Sequence, residues 1–397
     1  MRQSRKISLL WWQLANFCRL LLAVTFVFSG MVKLIDPRGT QYKIEDYAAY
    51  LDLSAFLPQG TPLLLAILLA LFEFYVGLSL FFGIRRRTTT RMTLLFMVVM
   101  TPLTLYLAWT DAHMDCGCFG DVVVLTNWQT FGKNLVLLVA AMMVTYSYRR
   151  LTRFITERNQ WLLLLYSMVF ALFLSIYTIR HLPIMDFRPY QVGVDLPKVI
   201  KEEWEGDGTE MRYADFSIQT LTGEDITLPW LEQEGYKFLL VAPFLELADD
   251  GQMDYINGVY DYCQQFGYPF LALTSSLEES IEYWKDLTGA EYEFAHADGT
   301  VLKTIVRSNP GLLLMHDGMI YQKWSAEDIP ELGVQSAPLE ELRIGKMQEK
   351  RRVRTVSRLF LFFMLPLLAW TLIDRIWIAS KYYKRYRIHK SINFLNT

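Results

Sequence analysis

Long stretches nearly free of Asp, Glu, Lys and Arg alternate with short charged segments over the first 180 residues, and the pattern returns near the end. A helix crossing the hydrocarbon core of a bilayer needs about 20 apolar residues. Six stretches satisfy that length, roughly 12–34, 61–83, 91–110, 129–148, 160–181 and 357–379. Arg2, Arg5 and Lys6 precede the first in the manner of a signal peptide. Its apolar run is longer than such a segment, however, and no small-residue cleavage site follows. An uncleaved span is expected.

Between the fifth and sixth stretches, residues 186–350 read as a soluble domain, with its folded elements expected from near Met211 onward. Phe216 to Leu221 predicts a strand, with Thr222, Gly223 and Glu224 as its turn. Lys237 to Phe244 is a continuous apolar run suited to a strand buried on both faces. Met253, Ile256, Tyr260 and Cys263 recur at helical spacing within 249–266, and Pro269 to Thr274 is another strand. Ser276 to Ser280 opens a helix with a capping signature. Asn309, Pro310 and Gly311 lead into an apolar strand over 312–315, and Asp317-Gly318 is a hairpin turn into Met319–Trp324. Alternating strands and helices closed by a hairpin predict an α/β domain.

The expected architecture is a membrane all-α bundle carrying an inserted α/β domain. Residues 1–155 form a four-helix membrane domain, 156–185 the fifth helix and a linker, 186–350 the soluble domain, and 351–397 the sixth helix with a basic tail. Composition agrees: 52% of the 397 residues are hydrophobic although 20% are charged, which requires the two kinds to be segregated. The net charge of −2 comes with no concentrated basic face, so nucleic acid is not an expected partner.

Lys and Arg accumulate on the cytoplasmic side of membrane proteins. The N-terminus, the loop with Arg85, Arg86, Arg87 and Arg91, the loop with Arg149, Arg150, Arg153 and Arg158, and the tail from Lys381 to Lys390 are all basic. The 111–128 loop has no Lys or Arg. Six spans then place both termini inside, with the 111–128 loop and the soluble domain outside. Lys350, Arg351, Arg352, Arg354 and Arg358 run against this order, as residues beside long translocated domains often do.

The sharpest chemical feature is Asp115-Cys116-Gly117-Cys118-Phe119-Gly120-Asp121. Glycine supplies the backbone freedom for two cysteines so close to form a ring. Such a strained disulfide is readily reduced. An exchange couple, a loop staple and a metal site with Asp111, His113 or Asp115 are all open readings, the last matching no familiar zinc spacing. Cys18 lies in the first span and Cys263 on an apolar helix face, both suited to packing. Within the spans, Arg19, Lys33 and Glu73 need partners, because membrane charges are costly unless paired. Counting from the cytoplasmic ends places Arg19 level with Glu73 and predicts that they pair, as a proton or quinone site or as a helix-positioning ion pair.

Arg19, Phe26, Ser29, Gly30, Lys33, Asp36 and Pro37 resemble the opening pattern of DoxX-like membrane proteins, and Glu73, Gly77 and Gly83 resemble their second-helix pattern. Cys116 to Gly120, followed by Trp128 and Asn134, is similar to the MauE branch of that group. The resemblance implies a four-helix redox-associated module of the bacterial plasma membrane, active in electron transfer or in disulfide maturation of envelope proteins. The soluble domain resembles the thioredoxin superfamily, with Pro310 where those folds carry a cis-proline. Where a working thioredoxin has C-x-x-C, this chain has Leu245 to Asp250, which implies a redox-inactive domain that recognises a partner or covers the cysteine loop.

Two functions follow. In one, Cys116 and Cys118 pass electrons between an envelope protein and membrane quinone, with Glu73 and Arg19 at the quinone. In the other, a non-enzymatic envelope component uses its soluble domain to bind a partner protein. A transporter is disfavoured by the shortage of charged or helix-breaking residues at mid-membrane.

Overall fold

The computed structural model describes residues 2–53, 56–58, 60–110, 117, 119–123, 125–206, 213, 215–333, 335–347 and 352–395, with side chains except at 2–8, 352–354, 356 and 384–395. Asp111, His113, Asp115, Cys116, Cys118, Met211, Lys350 and Arg351 lie outside the described residues. The chain divides into two units, residues 1–176 with 354–397, and residues 177–353.

The first unit contains helices α1 (Arg2–Ile35), α2 (Pro37–Tyr50), α3 (Thr61–Phe82), α4 (Arg86–Trp109), α5 (Asn127–Tyr146), α6 (Gln160–Arg180, its last turn in the second unit) and the last helix, α12 (Arg352–Leu395). Among the described residues, five segments are long and apolar enough to cross a membrane: Leu9–Ile35, Thr61–Phe82, Arg86–Trp109, Gln160–Arg180 and Ser357–Tyr383. The sixth expected span, 129–148, falls short of them because α5 opens with two polar turns containing Gln129, Lys133 and Asn134. It is nevertheless packed antiparallel along α4. Asn134 Nδ2 donates to Thr104 Oγ1 at 3.2 Å near one end, and Thr145 Oγ1 donates to the Thr90 carbonyl at 2.9 Å near the other.

Glycine sets the register of α1 on α3. A Cβ at Gly30 would lie 2.6 Å from the Phe74 amide nitrogen, and one at Gly77 would lie 2.5 Å from that of Val27. The two backbones therefore touch, the close approach that small residues permit between membrane helices. At one end of the bundle, three guanidinium groups hold the carbonyls of a single loop. Arg86 donates to Arg149 and Leu151, Arg19 to Thr152, and Arg375 to Arg153 and Phe154. Asp374, 2% exposed, accepts from Thr156 and Asn159 beside them. Tyr166 and Phe170 of α6 meet Phe363 of α12 further along. Thus α6 runs from this loop toward the opposite end, and α12 returns. That opposite end carries α2 and the described part of the 117–123 loop.

The second unit contains α7 (Leu196–Glu205), β1 (Gln219–Thr220), α8 (Thr227–Leu231), β2 (Tyr236–Val241), α9 (Met253–Phe266), β3 (Phe270–Thr274), α10 (Glu278–Thr288), β4 (Glu293–His296), α11 (Gly299–Ile305), β5 (Gly311–His316) and β6 (Met319–Ser325). Its mixed sheet has the order β1-β4-β3-β2-β5-β6, with β2, β3 and β4 parallel to one another and β5 antiparallel to β2. Phe238 and Leu240 pack with α9 and α10 on one face, while Leu239 and Val241 pack with α7, α8 and α11 on the other. Coverage of both faces explains the unbroken apolar run. Asp317 and Gly318 both have positive φ, as the tight turn between β5 and β6 requires.

Two expectations are corrected here. Only Gln219–Thr220 of the 216–221 segment forms a strand; the Phe216 amide donates to the Tyr213 carbonyl and the Ile218 amide to the Thr227 hydroxyl rather than to a neighbouring strand. Ser276 does not cap α10, whose first flanking residue is Leu277. The Ser276 hydroxyl donates to Glu246 at 2.8 Å and accepts from the Leu245 amide at 2.9 Å.

Two buried lysines sit in this unit. Lys237 donates to the carbonyls of Trp230, Leu231 and Gln233 at the end of α8, and burial pulls its ammonium down to about 8. Lys323 lies 3.2 Å from Asp186, which also accepts from Arg188 at 2.9 Å. Burial lowers Lys323 to about 8. It would raise Asp186, but the two cations hold that carboxyl below its usual range.

Candidate functional site

Glu73 projects from the middle of α3 into the bundle and is 5% exposed. Its Oε2 accepts from Ser29 Oγ at 2.7 Å and from Lys33 Nζ at 2.8 Å, and Lys33 also reaches Ser29 at 2.7 Å. Ser29 and Lys33 are one turn apart on α1, so both present the same face to α3. The Arg19–Glu73 pair expected from depth counting does not form. Contacts through Gly30 and Gly77 fix Glu73 beside Lys33, whereas Arg19 lies about 21 Å toward the other end of α1. There Arg19 binds the Thr152 carbonyl and lies over the Phe154 ring, 5.1 Å from its centroid.

Beside Glu73 is a chamber of about 30 Å³, lined by Thr25 and Ser29, by Met97 and Met100 of α4, by Lys133 and Asn134 of α5, and by Phe119. That volume accommodates one or two waters. Arg19 and Glu73 thus do not share a site, contrary to the pairing expected from the sequence.

The motif and the carboxylate converge through Phe119. Its ring lies 5.5 Å from that of Phe28, under the ammonium of Lys133 at 4.2 Å, and on the wall of the Glu73 chamber. Gly120, with φ +55, turns against Val32, and Gly117, with φ +60, lies against the side chain of Lys43 on α2. Lys43 is 3.5 Å from Asp121. The described residues around the cysteine pair are therefore seated on the bundle directly beside the Glu73 network. Lys43 and Lys133 were missed in the sequence. Neither belongs to a motif, and only the fold brings them to the loop.

Residues 10–147 match the family model described as methylamine utilisation protein MauE. This is a membrane-protein family, and the match spans α1 to α5 together with the cysteine loop. No curated protein and no solved structure matches the chain. With the five apolar spans, the MauE match makes this an integral, multi-pass membrane protein.

The remaining cysteines lie elsewhere. Cys18 Sγ is 3.8 Å from Met143 Sδ inside the bundle. Cys263 is fully enclosed in the core of the second unit, and burial pushes its thiol well up. A thiol held protonated is a poor nucleophile.

Proposed function

We propose that the MauE-like region is a thiol–disulfide exchange module of the bacterial plasma membrane, with Cys116 and Cys118 as the couple on its outer surface. The observation that carries this reading is the seating of Phe119 over the chamber that holds Glu73, Ser29 and Lys33. In the reducing direction, a thiolate of the pair attacks a disulfide of an envelope protein, forming a mixed disulfide and releasing the client's second sulfur as a thiolate. The other cysteine then displaces the client's first sulfur. The Cys116–Cys118 disulfide closes and two electrons have passed to the client. Run backwards, the same steps oxidise a client dithiol. In this reading Glu73, which lines the same chamber as Phe119, is the acid–base group on the bundle side of the loop.

An outer location for the loop requires α5 to cross the membrane despite its polar start. Exposed Trp128 and Tyr146 lie about 27 Å apart along α5, 58% and 89% exposed. That is close to the hydrocarbon thickness, with an aromatic residue at each interface. The test is capture: Cys118→Ser should accumulate a reductant-sensitive adduct with another envelope protein, and Cys18→Ser should not. Absence of any adduct from either single serine variant of the pair contradicts the proposal.

A second reading concerns residues 177–353. Their strand order, with β2 flanked by parallel β3 and antiparallel β5, supports a thioredoxin-like fold without the dithiol. Exposed Leu247 and Leu277 flank the Glu246–Ser276 hydrogen bond at the position the dithiol would occupy. That apolar edge suits recognition of a partner protein. Co-purification that survives loss of both loop cysteines and fails in Leu247→Asp would support this reading.

A further inference from the structure

We propose that Arg87, Arg91 and Arg149 form a binding site for the phosphate of an anionic phospholipid, at the end of the bundle opposite α2. The site does not depend on the exchange reading. Two contacts bring the three arginines together. Thr145 Oγ1, at the end of α5, donates to the Thr90 carbonyl at 2.9 Å, and Arg86 donates to the Arg149 carbonyl at 3.3 Å. The turn Tyr148–Arg150 is thereby held against the start of α4. Arg87 and Arg91 are one turn apart on α4 and share a face of that helix. Arg149 Nε donates to the Tyr148 hydroxyl at 3.0 Å, and its guanidinium lies 5.7 Å from the centre of that ring. All three arginines act electrostatically on the Tyr148 phenol, so their charges converge on one exposed region.

Like charges four residues apart on a helix repel, and among the described residues no carboxylate pairs with Arg87, Arg91 or Arg149. At this end Glu157 is taken by Arg153 at 2.5 Å, and buried Asp374 accepts from Thr156 and Asn159. A phosphate supplies the missing negative charge, and planar guanidinium groups match its oxygens two at a time. The surface beside the cluster selects a lipid over free phosphate. Further along the same face of α4, Leu95 and Val98 are exposed, and α5 leads away from the turn with exposed Tyr146, Met142 and Val139. Two apolar strips that begin at a cationic cluster suit acyl chains joined to a charged headgroup. Basic clusters beside membrane spans recognise anionic lipids in this way.

The test is thermal melting of the full chain in detergent, titrated with phosphatidylglycerol, phosphatidylcholine or inorganic phosphate. A ligand that binds only the folded state raises the melting temperature as its concentration rises. Phosphatidylglycerol should do so, and the other two should not. Arg87→Gln/Arg91→Gln should weaken the apparent affinity for phosphatidylglycerol about tenfold, as expected for lost charge-assisted hydrogen bonds. Arg158→Gln removes an exposed arginine outside the cluster and should leave the affinity unchanged. Equal stabilisation by phosphatidylcholine or by inorganic phosphate would overturn the proposal. So would an unchanged affinity in the double variant, or equal weakening by Arg158→Gln, the mark of general charge attraction. If the double variant does not fold, native mass spectrometry of the unaltered protein decides. From an equimolar mixture it should retain phosphatidylglycerol, and equal retention of the two lipids would overturn the site.

Discussion

Lys33 and Glu73 form an ion pair at 2.8 Å across the α1–α3 crossing, with Lys33 4% and Glu73 5% exposed. In so enclosed a place each charge depends on the other and on Ser29. Removing one partner leaves a buried charge without its counter-ion, which is costly. Glu73→Gln and Lys33→Met should each lower stability by about 3–5 kcal/mol, the usual consequence of breaking a buried pair. The double variant should lose less than the sum. Thermal melting of the full chain in detergent checks this double-mutant cycle.

The glycine contacts make a contrasting pair of outcomes. Gly30→Ala places a methyl group against the Phe74 backbone, whereas Gly132 has nothing within 4 Å. Gly30→Ala should cost about 1–3 kcal/mol by overpacking. Gly132→Ala, inside a helix, should be neutral or stabilising by up to about 1 kcal/mol. The same melting experiment separates them.

Lys237 gives the soluble unit a pH dependence. Burial depresses its folded-state value to about 8, below the unfolded lysine value of about 10.4. Between these limits the unfolded chain binds more protons, so this group makes stability rise with pH across that window. Lys237→Met removes the titration. The stability of the unaltered protein relative to this variant should therefore increase from pH 8 to pH 10, read by denaturant unfolding of the second unit. A flat difference would contradict the assignment.

Helix positions were legible in the sequence because apolar length alone marks a span, and the buried strands because apolar runs ended at turn residues. Register was not. Depth counted from basic flanks assumes that every helix starts at the same level, but α1 extends well before its apolar stretch. Gly30 and Gly77, not the ends, decide what faces Glu73. The i, i+4 spacing of Ser29 and Lys33 was the available signal for the true partner. Helix α2 escaped notice because it is short and polar, although Asp36-Pro37 is a recognisable helix start. Strand β4 has four residues, one of them Glu293, and shows no apolar run. The three arginines that bind the 149–154 carbonyls were legible only as a topological charge bias. Which carbonyl each would meet depends on the loop's path, and Gly83 in a left-handed conformation lets Thr152 approach.

The redox state of Cys116 and Cys118 in intact cells, read by alkylation and mass spectrometry of the loop peptide, tests the exchange role most directly. The pair should be protected as a disulfide in untreated cells, become alkylated after brief treatment with a reductant, and return to the protected state once the reductant is removed. Two thiols that remain equally free before, during and after treatment would contradict it.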